Sequence, residues 1–318
     1  MRHQSVALIG GSGFLGSHLA NTLVTVGKSV RIATRRRHHA SHLSMLPLDV
    51  IEANVFDPLE LASFVEGVDA VVNLVGILHG GRGVPYGPEF AKAHVELPAK
   101  IVAACEGKGV CRLIHISALN ADPGGPSMYL RSKGDGEKAV RQATQLATTI
   151  FRPSVVFGPE DRFLNMFAVL QRMFPVIPLA KPDARFQPVY VGDVAKAIVN
   201  ALDLDAATDR VYELGGPAVY TLEQLVQFCG ESIGRGARIV RLPDAFAYMQ
   251  AFAFEMVPGE PPLTRDNLDS MTLDSILTGP LAPELGVEPA SVEAIAPEYL
   301  GAATLRSRFS AFRASAGR

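Results

Sequence analysis

Three side chains in the middle of the chain have the types and spacing that suit proton transfer: Tyr129, Lys133 four residues later, and Ser117 twelve residues before the tyrosine. Residues i and i+4 share a helix face, so Tyr129 and Lys133 would point the same way. A free phenol has a pKa of about 10, but an adjacent ammonium and an oxidised nicotinamide ring would lower it. Ser117 would hold a substrate carbonyl or hydroxyl beside the tyrosine. The three residues predict a catalytic proton relay coupled to hydride transfer at a nicotinamide; the alternative is a surface helix with an unremarkable tyrosine and lysine.

A nicotinamide cofactor needs a phosphate site, and the start of the chain has the pattern of one. An apolar strand at residues 6–9 runs into Gly10, and Gly13 and Gly16 follow at equal intervals. The first glycine would allow a tight turn, the second would let the backbone approach a pyrophosphate, and the third would let the next helix pack close to the strand. The phosphates would lie at that helix N-terminus, where free N–H groups favour negative charge. The candidate cofactor contacts in this segment are Gly10, Ser12, Gly13, Phe14, Leu15 and Gly16.

The residues after the second predicted strand, at 29–34, indicate which dinucleotide is bound. In NAD-selective folds a carboxylate near this point accepts hydrogen bonds from the ribose 2′-hydroxyl, but here no acidic residue occurs before Asp49. The strand is followed instead by Arg35, Arg36 and Arg37. Guanidinium groups bind a 2′-phosphate through charge-assisted, often bidentate hydrogen bonds. We therefore expect NADP(H) rather than NAD(H), with Arg35 and Arg36 as contacts; a solvated basic turn is the alternative.

The composition is that of an ordinary soluble protein. Its 318 residues, 48% apolar and 19% charged, suffice for one large α/β domain with a smaller lobe, or for two domains. The net charge of −2 gives no argument for nucleic-acid binding. No apolar run approaches the roughly 18 residues that span a bilayer. The three cysteines lack metal-ligand spacing and no signal peptide is recognised, so we expect no metal site and buried thiols in a reducing cytoplasm.

Short apolar strands alternate with helix-length segments along the first half of the chain. Further strands are expected at 49–55, 70–76, 112–117 and 148–156, with helices at 89–107 and 127–146. Continuous β-branched runs separated by helices predict an α/β fold with a Rossmann-like, doubly wound parallel sheet, whose strand ends share one ligand-binding edge. Frequent proline and glycine after Pro159 predict a smaller C-terminal substrate lobe. The expected division is an NADP(H)-binding domain at 1–158 to which 186–214 returns, a lobe at 159–185 and 215–300, and a flexible basic tail at 301–318.

These motifs resemble those of an extended or atypical short-chain dehydrogenase/reductase. The resemblance is carried by Gly10-x-x-Gly13-x-x-Gly16, Asp57, residues 73–76, Ser117, Tyr129 with Lys133, and residues 152–159. Within that superfamily the chain is most similar to the subgroup of the nucleotide-binding accessory subunit of mitochondrial complex I and its bacterial relatives, through residues 115–119, 129–133, 157–163, 187–193, 212–217 and 262–266. The resemblance implies that Asp57 contacts the adenine edge and that Val75 and Gly76 lie along the cofactor. It also implies that the backbone near the nicotinamide end is that of Pro153, Val155 and Val156.

Four other features each allow two interpretations. His94 stands where many enzymes of the superfamily carry an asparagine that supports a relay water, so it would hold a water or simply pack against the sheet. The glycine-rich loop at 79–87 is a substrate lid or a mobile connection. The apolar helix predicted at 245–256 packs in the core of the lobe, or faces a hydrophobic substrate, a partner or a membrane. The basic tail is disordered or docks on such a surface.

The sequence favours an NADP(H)-dependent oxidoreductase or epimerase-like enzyme that acts on an unidentified small molecule. One alternative is a non-catalytic NADPH-binding structural or assembly protein linked to a respiratory complex or quinone metabolism, because members of the subgroup can hold NADPH without established turnover. Another is a regulator whose partner affinity follows the redox state of the cofactor. A sugar nucleotide is the conventional substrate of extended relatives, whereas the aromatic helix slightly favours a more apolar molecule.

Overall fold

The computed structural model describes residues 3–257, 259 and 261–301, so the predicted tail at 301–318 lies outside the described residues except for Gly301. The strands are β1 (Ser5–Ile9), β2 (Ser29–Thr34), β3 (Asp49–Glu52), β4 (Ala70–Asn73), β5 (Arg112–Ile116), β6 (Ala147–Pro153), β7 (Val156–Phe157), β8 (Val176–Leu179), β9 (Arg185–Phe186), β10 (Val189–Tyr190), β11 (Arg210–Leu214), β12 (Tyr220–Thr221) and β13 (Arg238–Arg241). Seven of them form one sheet in the order β11-β6-β5-β4-β1-β2-β3, and every neighbouring pair is parallel. The expected doubly wound parallel sheet is confirmed.

The helices cover both faces of this sheet and build the C-terminal part. They are α1 (Phe14–Thr25), α2 (Pro58–Val65), α3 (Pro88–Phe90), α4 (Leu97–Lys108), α5 (Met128–Arg141), α6 (Phe163–Met173), α7 (Val191–Leu202), α8 (Leu222–Ser232), α9 (Asp244–Glu255), α10 (Arg265–Ser270) and α11 (Val292–Leu300). A π-helical segment, Ala91–Glu96, joins α3 to α4. Within the described part of the chain, no helix is long and apolar enough to cross a membrane.

Alternation along the strands produces two separate cores, because successive side chains of a strand point to opposite faces. One core joins Leu8 of β1 and Ile114 of β5 to α1 and α7. The other joins Ile9 and Leu113 to α2, α4 and α5. Because residues 115 and 117 alternate in step with Leu113, their side chains belong to the face covered by α4 and α5.

Local hydrogen bonds shorten two of the predicted strands. The third strand ends at Glu52, because the Asn54 side chain accepts a bond from the Phe56 N–H (3.2 Å) and starts a turn. The fourth ends at Asn73, whose side-chain oxygen accepts from the Val75 N–H at 3.1 Å. Such side-chain bonds to the following backbone compete with the ladder of a sheet. Both turns lie at the edge where a ligand would bind.

The C-terminal part has two apolar clusters of its own. The first joins α6, α8 and α11 around Leu164, Leu225 and Ala296. The second is small, and its buried members include Ala247 and Ala251 of α9 with Leu268 of α10. The segment 210–214 supplies β11 at one edge of the main sheet, which is where the chain was expected to return. The proposed boundaries of the two parts remain a prediction.

Candidate active site

The glycine-rich turn has the shape that the sequence predicts. Gly10 adopts a φ of +85°, a conformation that only glycine takes readily, and the Gly13 N–H donates to its carbonyl oxygen at 3.1 Å. A Cβ on Gly16 would lie 2.6 Å from the Gly10 carbonyl oxygen, so the close packing of α1 against the turn requires glycine there. Gly13 is the N-cap of α1 and presents no side chain to the first N–H groups of that helix. This is an arrangement that fits a phosphate.

The basic segment after β2 is exposed at the same edge of the sheet. Both Arg35 and Arg36 are exposed, and the Thr34 hydroxyl donates to the Arg36 carbonyl oxygen at 3.0 Å, which shapes the turn. The sheet also brings the exposed Glu52 to this end, because it lies opposite Thr34 in the register of β2 and β3. The sequence does not indicate that this carboxylate lies at the same end of the sheet as Arg36, because Arg36 follows β2 whereas Glu52 ends β3.

Asp57 has a structural role in addition to its predicted contact with adenine. It is the N-cap of α2, and its Oδ1 accepts from the N–H groups of Leu59 (2.9 Å) and Glu60 (3.1 Å). These bonds fix the carboxyl group at the start of α2, beyond the end of β3. The adenine contact remains a prediction.

Lys133 lies buried between the ends of β4 and β5. Its Nζ donates to the Ile116 carbonyl oxygen at 3.1 Å, and a Cβ built on Gly76 would be 3.2 Å from the same Nζ. Burial lowers the pKa of Lys133 to about 8, against the opposing attraction of Glu137. The lysine is therefore mostly an ammonium at neutral pH. The fold thus brings together Lys133, Gly76 and the end of β5.

Tyr129 lies one turn before Lys133 on α5, but the expected lowering of its pKa is wrong for the protein by itself. Burial and the Asp266 carboxylate raise the pKa of Tyr129 to about 12. Asp266 accepts from the N–H groups of Met128 (2.6 Å) and Tyr129 (3.1 Å), so α10 places a negative charge at the start of α5. The tyrosine is therefore a neutral phenol at neutral pH.

Ser117 follows β5 directly and is nearly completely buried. Its N–H donates to the Phe151 carbonyl oxygen at 2.7 Å, which continues the ladder between β5 and β6. Its Oγ has no hydrogen-bond partner among the residues that the structure describes. The hydroxyl is therefore available to a substrate or a water.

His94 does not hold a water, because protein groups occupy both of its ring nitrogens. The Ile77 N–H donates to Nε2 at 3.0 Å, so Nδ1 carries the hydrogen of the neutral ring and donates to Ser132 Oγ at 2.8 Å. The Ser132 hydroxyl in turn donates to the Tyr129 carbonyl oxygen at 2.8 Å. Burial and the Lys133 charge lower the pKa of His94 to about 2, which keeps the ring neutral. The packing interpretation of this histidine is the one that the geometry supports.

Glu137 is a site residue that the sequence interpretation missed. Its buried carboxylate accepts two bonds of 2.7 Å from the Arg152 guanidinium, and Arg141 contacts it at 3.3 Å. The bidentate pair ties α5 to the end of β6, where the predicted nicotinamide contacts follow at Pro153, Val155 and Val156. The spacing of Glu137 from Lys133, again four residues, is a signal that points to the same helix face.

The loop at 79–87 is anchored to neighbouring elements. The Tyr86 hydroxyl donates to Asp135 at 3.1 Å, and Arg131 Nε donates to the Pro85 carbonyl oxygen at 2.8 Å. Arg82 also approaches Glu255 of α9 at 3.8 Å. These contacts hold the loop beside α9 and beside α5, the helix that carries Tyr129.

The apolar face of α9 is exposed, contrary to the core-packing interpretation. The helix turns its small residues, Ala247 and Ala251, inward, while Phe246, Met249 and Phe252 stand outward, with 56%, 60% and 48% of their surface exposed. Small residues allow α9 to approach α10 closely, and the larger ones are left on the outer side. Single exposed apolar residues are ordinary, but a stripe of them on one helix marks a surface that can contact apolar molecules.

The three cysteines are free thiols. Burial raises the pKa of Cys105 and of Cys229 to about 12, so both are inert thiols, and Cys111 is exposed. Among residues 3–257, 259 and 261–301, no group of three or more His, Cys, Asp or Glu side chains could hold a metal ion.

The parallel sheet, the glycine-rich turn and the residues at the strand ends define a dinucleotide-binding oxidoreductase fold of the Rossmann type. The model of the NAD dependent epimerase/dehydratase family matches residues 6–215, and the chain belongs to that family. The resemblance to the complex I accessory subunit, noted from the sequence, is confirmed, because a protein of that kind matches most of the chain.

Two relatives and one solved structure illustrate these similarities. The chain is 34% identical over 303 residues, 92% of this chain and 78% of the relative, to the mouse (Mus musculus) NADH dehydrogenase [ubiquinone] 1 alpha subcomplex subunit 9, mitochondrial. It is 29% identical over 245 residues to a ceramide reductase of Caulobacter vibrioides, covering 75% of this chain and 74% of that protein. The fold is similar, with a TM-score of 0.74, to dTDP-glucose 4,6-dehydratase from Streptomyces venezuelae with NAD bound, at 19% identity over 93% of this chain and 95% of that one.

Proposed function

We propose that this chain is an NADP(H)-dependent oxidoreductase or epimerase-like enzyme that uses Ser117, Tyr129 and Lys133 as its catalytic residues. The observation that carries the proposal is the burial of Lys133 between the Ile116 carbonyl oxygen and Gly76. Burying an ammonium group destabilises the folded protein. Lysines with a perturbed pKa are therefore found mostly at functional sites. This one lies one turn from a tyrosine and near a buried serine hydroxyl that has no partner within the described part of the chain.

The protonation states assign roles to the three side chains in the direction of carbonyl reduction. The nicotinamide supplies the hydride when it is bound. Tyr129 is a neutral phenol, because its pKa is raised to about 12, and it therefore carries the proton that the substrate oxygen takes up during reduction. The Lys133 ammonium stabilises the phenolate that remains, and the Ser117 hydroxyl orients the substrate oxygen. Return of a proton to Tyr129 completes the cycle.

We infer NADP(H) as the cofactor from the residues at the sheet edge. The turn from Gly10 to Gly16 fits a pyrophosphate, and the exposed Arg35 and Arg36 suit a 2′-phosphate. Asp57 would contact the adenine edge from the start of α2. Glu52 is the residue that would favour NAD(H) instead. The preference between NADP(H) and NAD(H) depends on whether Glu52 or the two arginines contact the 2′ position of the ribose.

The surroundings of Tyr129 favour an apolar substrate over a sugar nucleotide. Hydrogen bonds connect the exposed stripe of α9 to α5, because Glu255 at the end of α9 binds Arg265, and Arg265 neighbours the Asp266 that accepts from the Tyr129 N–H. The relative named ceramide reductase is consistent with a substrate that carries long alkyl chains. The proposed setting is the cytoplasm, with α9 able to rest against an apolar partner or membrane surface; nucleic acid is not among the expected partners.

A second candidate is a non-catalytic NADPH-binding protein that acts in the structure or assembly of a respiratory complex. Two observations favour it: the relative named as a subunit of NADH dehydrogenase, and the raised pKa of Tyr129, which disfavours the phenolate needed for oxidation. In this candidate the site retains the dinucleotide and the exposed face of α9 contacts a protein.

Exchange of bound NADPH and turnover together distinguish the two candidates. Freshly purified protein is examined by native mass spectrometry while isotope-labelled NADPH is added. An oxidoreductase must release its spent cofactor, so the oxidoreductase form of the first candidate predicts exchange within seconds to minutes. An epimerase-like enzyme regenerates its cofactor within the cycle and retains it, so turnover distinguishes that form from the second candidate. Turnover of a long-chain ketone should be abolished by Tyr129→Phe without loss of cofactor binding. Retention of unlabelled NADPH over hours, with no turnover, would select the second candidate.

A further inference from the structure

Two buried polar atoms at the end of β5 have no hydrogen-bond partner among the described residues: His115 Nε2 and Ser117 Oγ. Both side chains are at least nine-tenths buried, with 1% and 3% of their surface exposed. They are two residues apart on extended backbone, so they point to the same face of the sheet. Buried polar groups nearly always have a hydrogen-bond partner in the protein or in ordered water. We therefore expect these two atoms to have a partner as well.

The hydrogen on His115 can be assigned from its neighbours. The Val75 N–H can only donate, so the Asn73 oxygen faces it at 3.1 Å and the Asn73 amide nitrogen faces His115 Nδ1, also at 3.1 Å. An amide nitrogen donates, and therefore Nδ1 accepts. The hydrogen of the neutral ring must then be on Nε2. The unpartnered atom is consequently a buried donor that lacks an acceptor.

Lys133 supplies a third polar group at the same place. Its Nζ donates to the carbonyl oxygen of Ile116, the residue between His115 and Ser117, and its two other N–H bonds have no partner in residues 3–257, 259 and 261–301. The positive charge is near enough that, together with burial, it lowers the pKa of His115 to about 3. A small hydrogen-bond acceptor at this place would accept from both His115 Nε2 and Lys133 Nζ. His94 cannot serve, because both of its nitrogens are already bonded.

We propose that His115 Nε2, Lys133 Nζ and Ser117 Oγ together hold one buried water molecule. The water accepts a hydrogen bond from the histidine and another from the ammonium, and it donates to the serine oxygen. Three polar partners are what a conserved internal water typically has. Because the water donates to Ser117 Oγ, the serine directs its own hydrogen outward to the substrate oxygen. His115 is thus a positioning residue for Ser117, a role that rests on the proposed function, whereas the water site does not.

Two variants of His115 separate a hydrated site from a dry one. In His115→Asn the side-chain oxygen can still accept from Asn73, but nothing reaches the position of Nε2. In His115→Gln an amide donor returns to that distance. A hydrated site predicts that the melting temperature falls in His115→Asn and is restored in part by His115→Gln. A melting temperature that stays the same or rises in His115→Asn would overturn the proposal, because the removal of a dry, unpaired donor removes a penalty.

A crystal structure of the full chain at about 1.5 Å resolution tests the water directly. We expect density for one water at about 3 Å from Nε2 in the native protein and from the side-chain nitrogen in His115→Gln, and weaker density in His115→Asn, where only Lys133 and Ser117 remain as partners. Absence of that density in the native protein would overturn the proposal. With a reducible ketone as substrate, His115→Asn should lower kcat and leave NADPH binding unchanged. If the native protein shows no turnover, the proposed function fails, while the density and the melting order still decide on the water.

Discussion

Replacing Lys133 with methionine tests whether the buried ammonium is as costly as its surroundings indicate. Burial lowers the pKa of Lys133 from its usual 10.5 to about 8. Between these values the unfolded chain binds a proton that the folded chain has released, so the free energy of unfolding rises with pH. The whole interval corresponds to about 3 kcal/mol, of which about 2 kcal/mol is recovered between pH 7 and pH 9.5. Lys133→Met keeps the length of the side chain and abolishes this titration.

The assay is urea unfolding of the native protein and the variant at both pH values. The stability difference between native protein and Lys133→Met should shift by about 2 kcal/mol in favour of the native protein as the pH rises. Other titrating groups are shared by both proteins and cancel. Lys138→Met, which removes an exposed ammonium paired with Asp135 on the same helix, is the matched control and should leave the pH dependence unchanged. If native protein and Lys133→Met respond equally to pH, Lys133 is not buried in the way described.

Two further predictions concern packing and a buried ion pair. Gly16→Ala should cost about 1–3 kcal/mol of unfolding free energy and weaken NADPH binding, because the new Cβ would lie 2.6 Å from the Gly10 carbonyl oxygen. Gly107→Ala, with no atom within 4 Å of its Cβ on α4, should instead raise the unfolding free energy by about 0.5–1 kcal/mol, measured by urea unfolding as for Gly16→Ala. Equal effects of the two changes would refute the steric argument. Glu137→Gln should destabilise by about 2–4 kcal/mol in denaturant titrations, because it leaves the guanidinium at the end of β6 without a carboxylate. Arg141→Gln, which removes the more exposed partner of that same carboxylate, should cost less than about 1 kcal/mol, and a larger cost would contradict the assignment.

Local patterns were the parts of the molecule that the sequence could predict. The glycine-rich turn depends on a few consecutive residues, and its conformation at Gly10 and its close contact at Gly16 follow from sterics alone. The shared helix face of Tyr129 and Lys133 follows from helical spacing. The parallel order of the sheet follows from alternating strands and helices, because crossovers of one hand leave few topologies.

Features that depend on distant residues were the ones that could not be predicted. The pKa of Tyr129 rises because Asp266, 137 residues away in sequence, caps its helix. The two ring nitrogens of His94 are hydrogen-bonded to Ile77 in a loop and to Ser132 on α5. Residue spacing in the sequence does not predict these contacts. The amphipathic pattern of α9 was visible, but which face is buried depends on the small residues that meet α10, and these were less conspicuous than the phenylalanines.

Binding of NADPH and NADH tests the central claim, a 2′-phosphate-selective dinucleotide site built on the glycine-rich turn and the arginines after β2. The measurement is a fluorescence titration of each reduced cofactor against the native protein and the double variant Arg35→Ala/Arg36→Ala. We predict tighter binding of NADPH than of NADH, with the preference reduced about 10- to 100-fold in the variant because charge-assisted hydrogen bonds are lost, and with NADH affinity unchanged. Tighter binding of NADH would assign the selectivity to Glu52, and equal affinity for both cofactors, or binding of neither, would contradict the account.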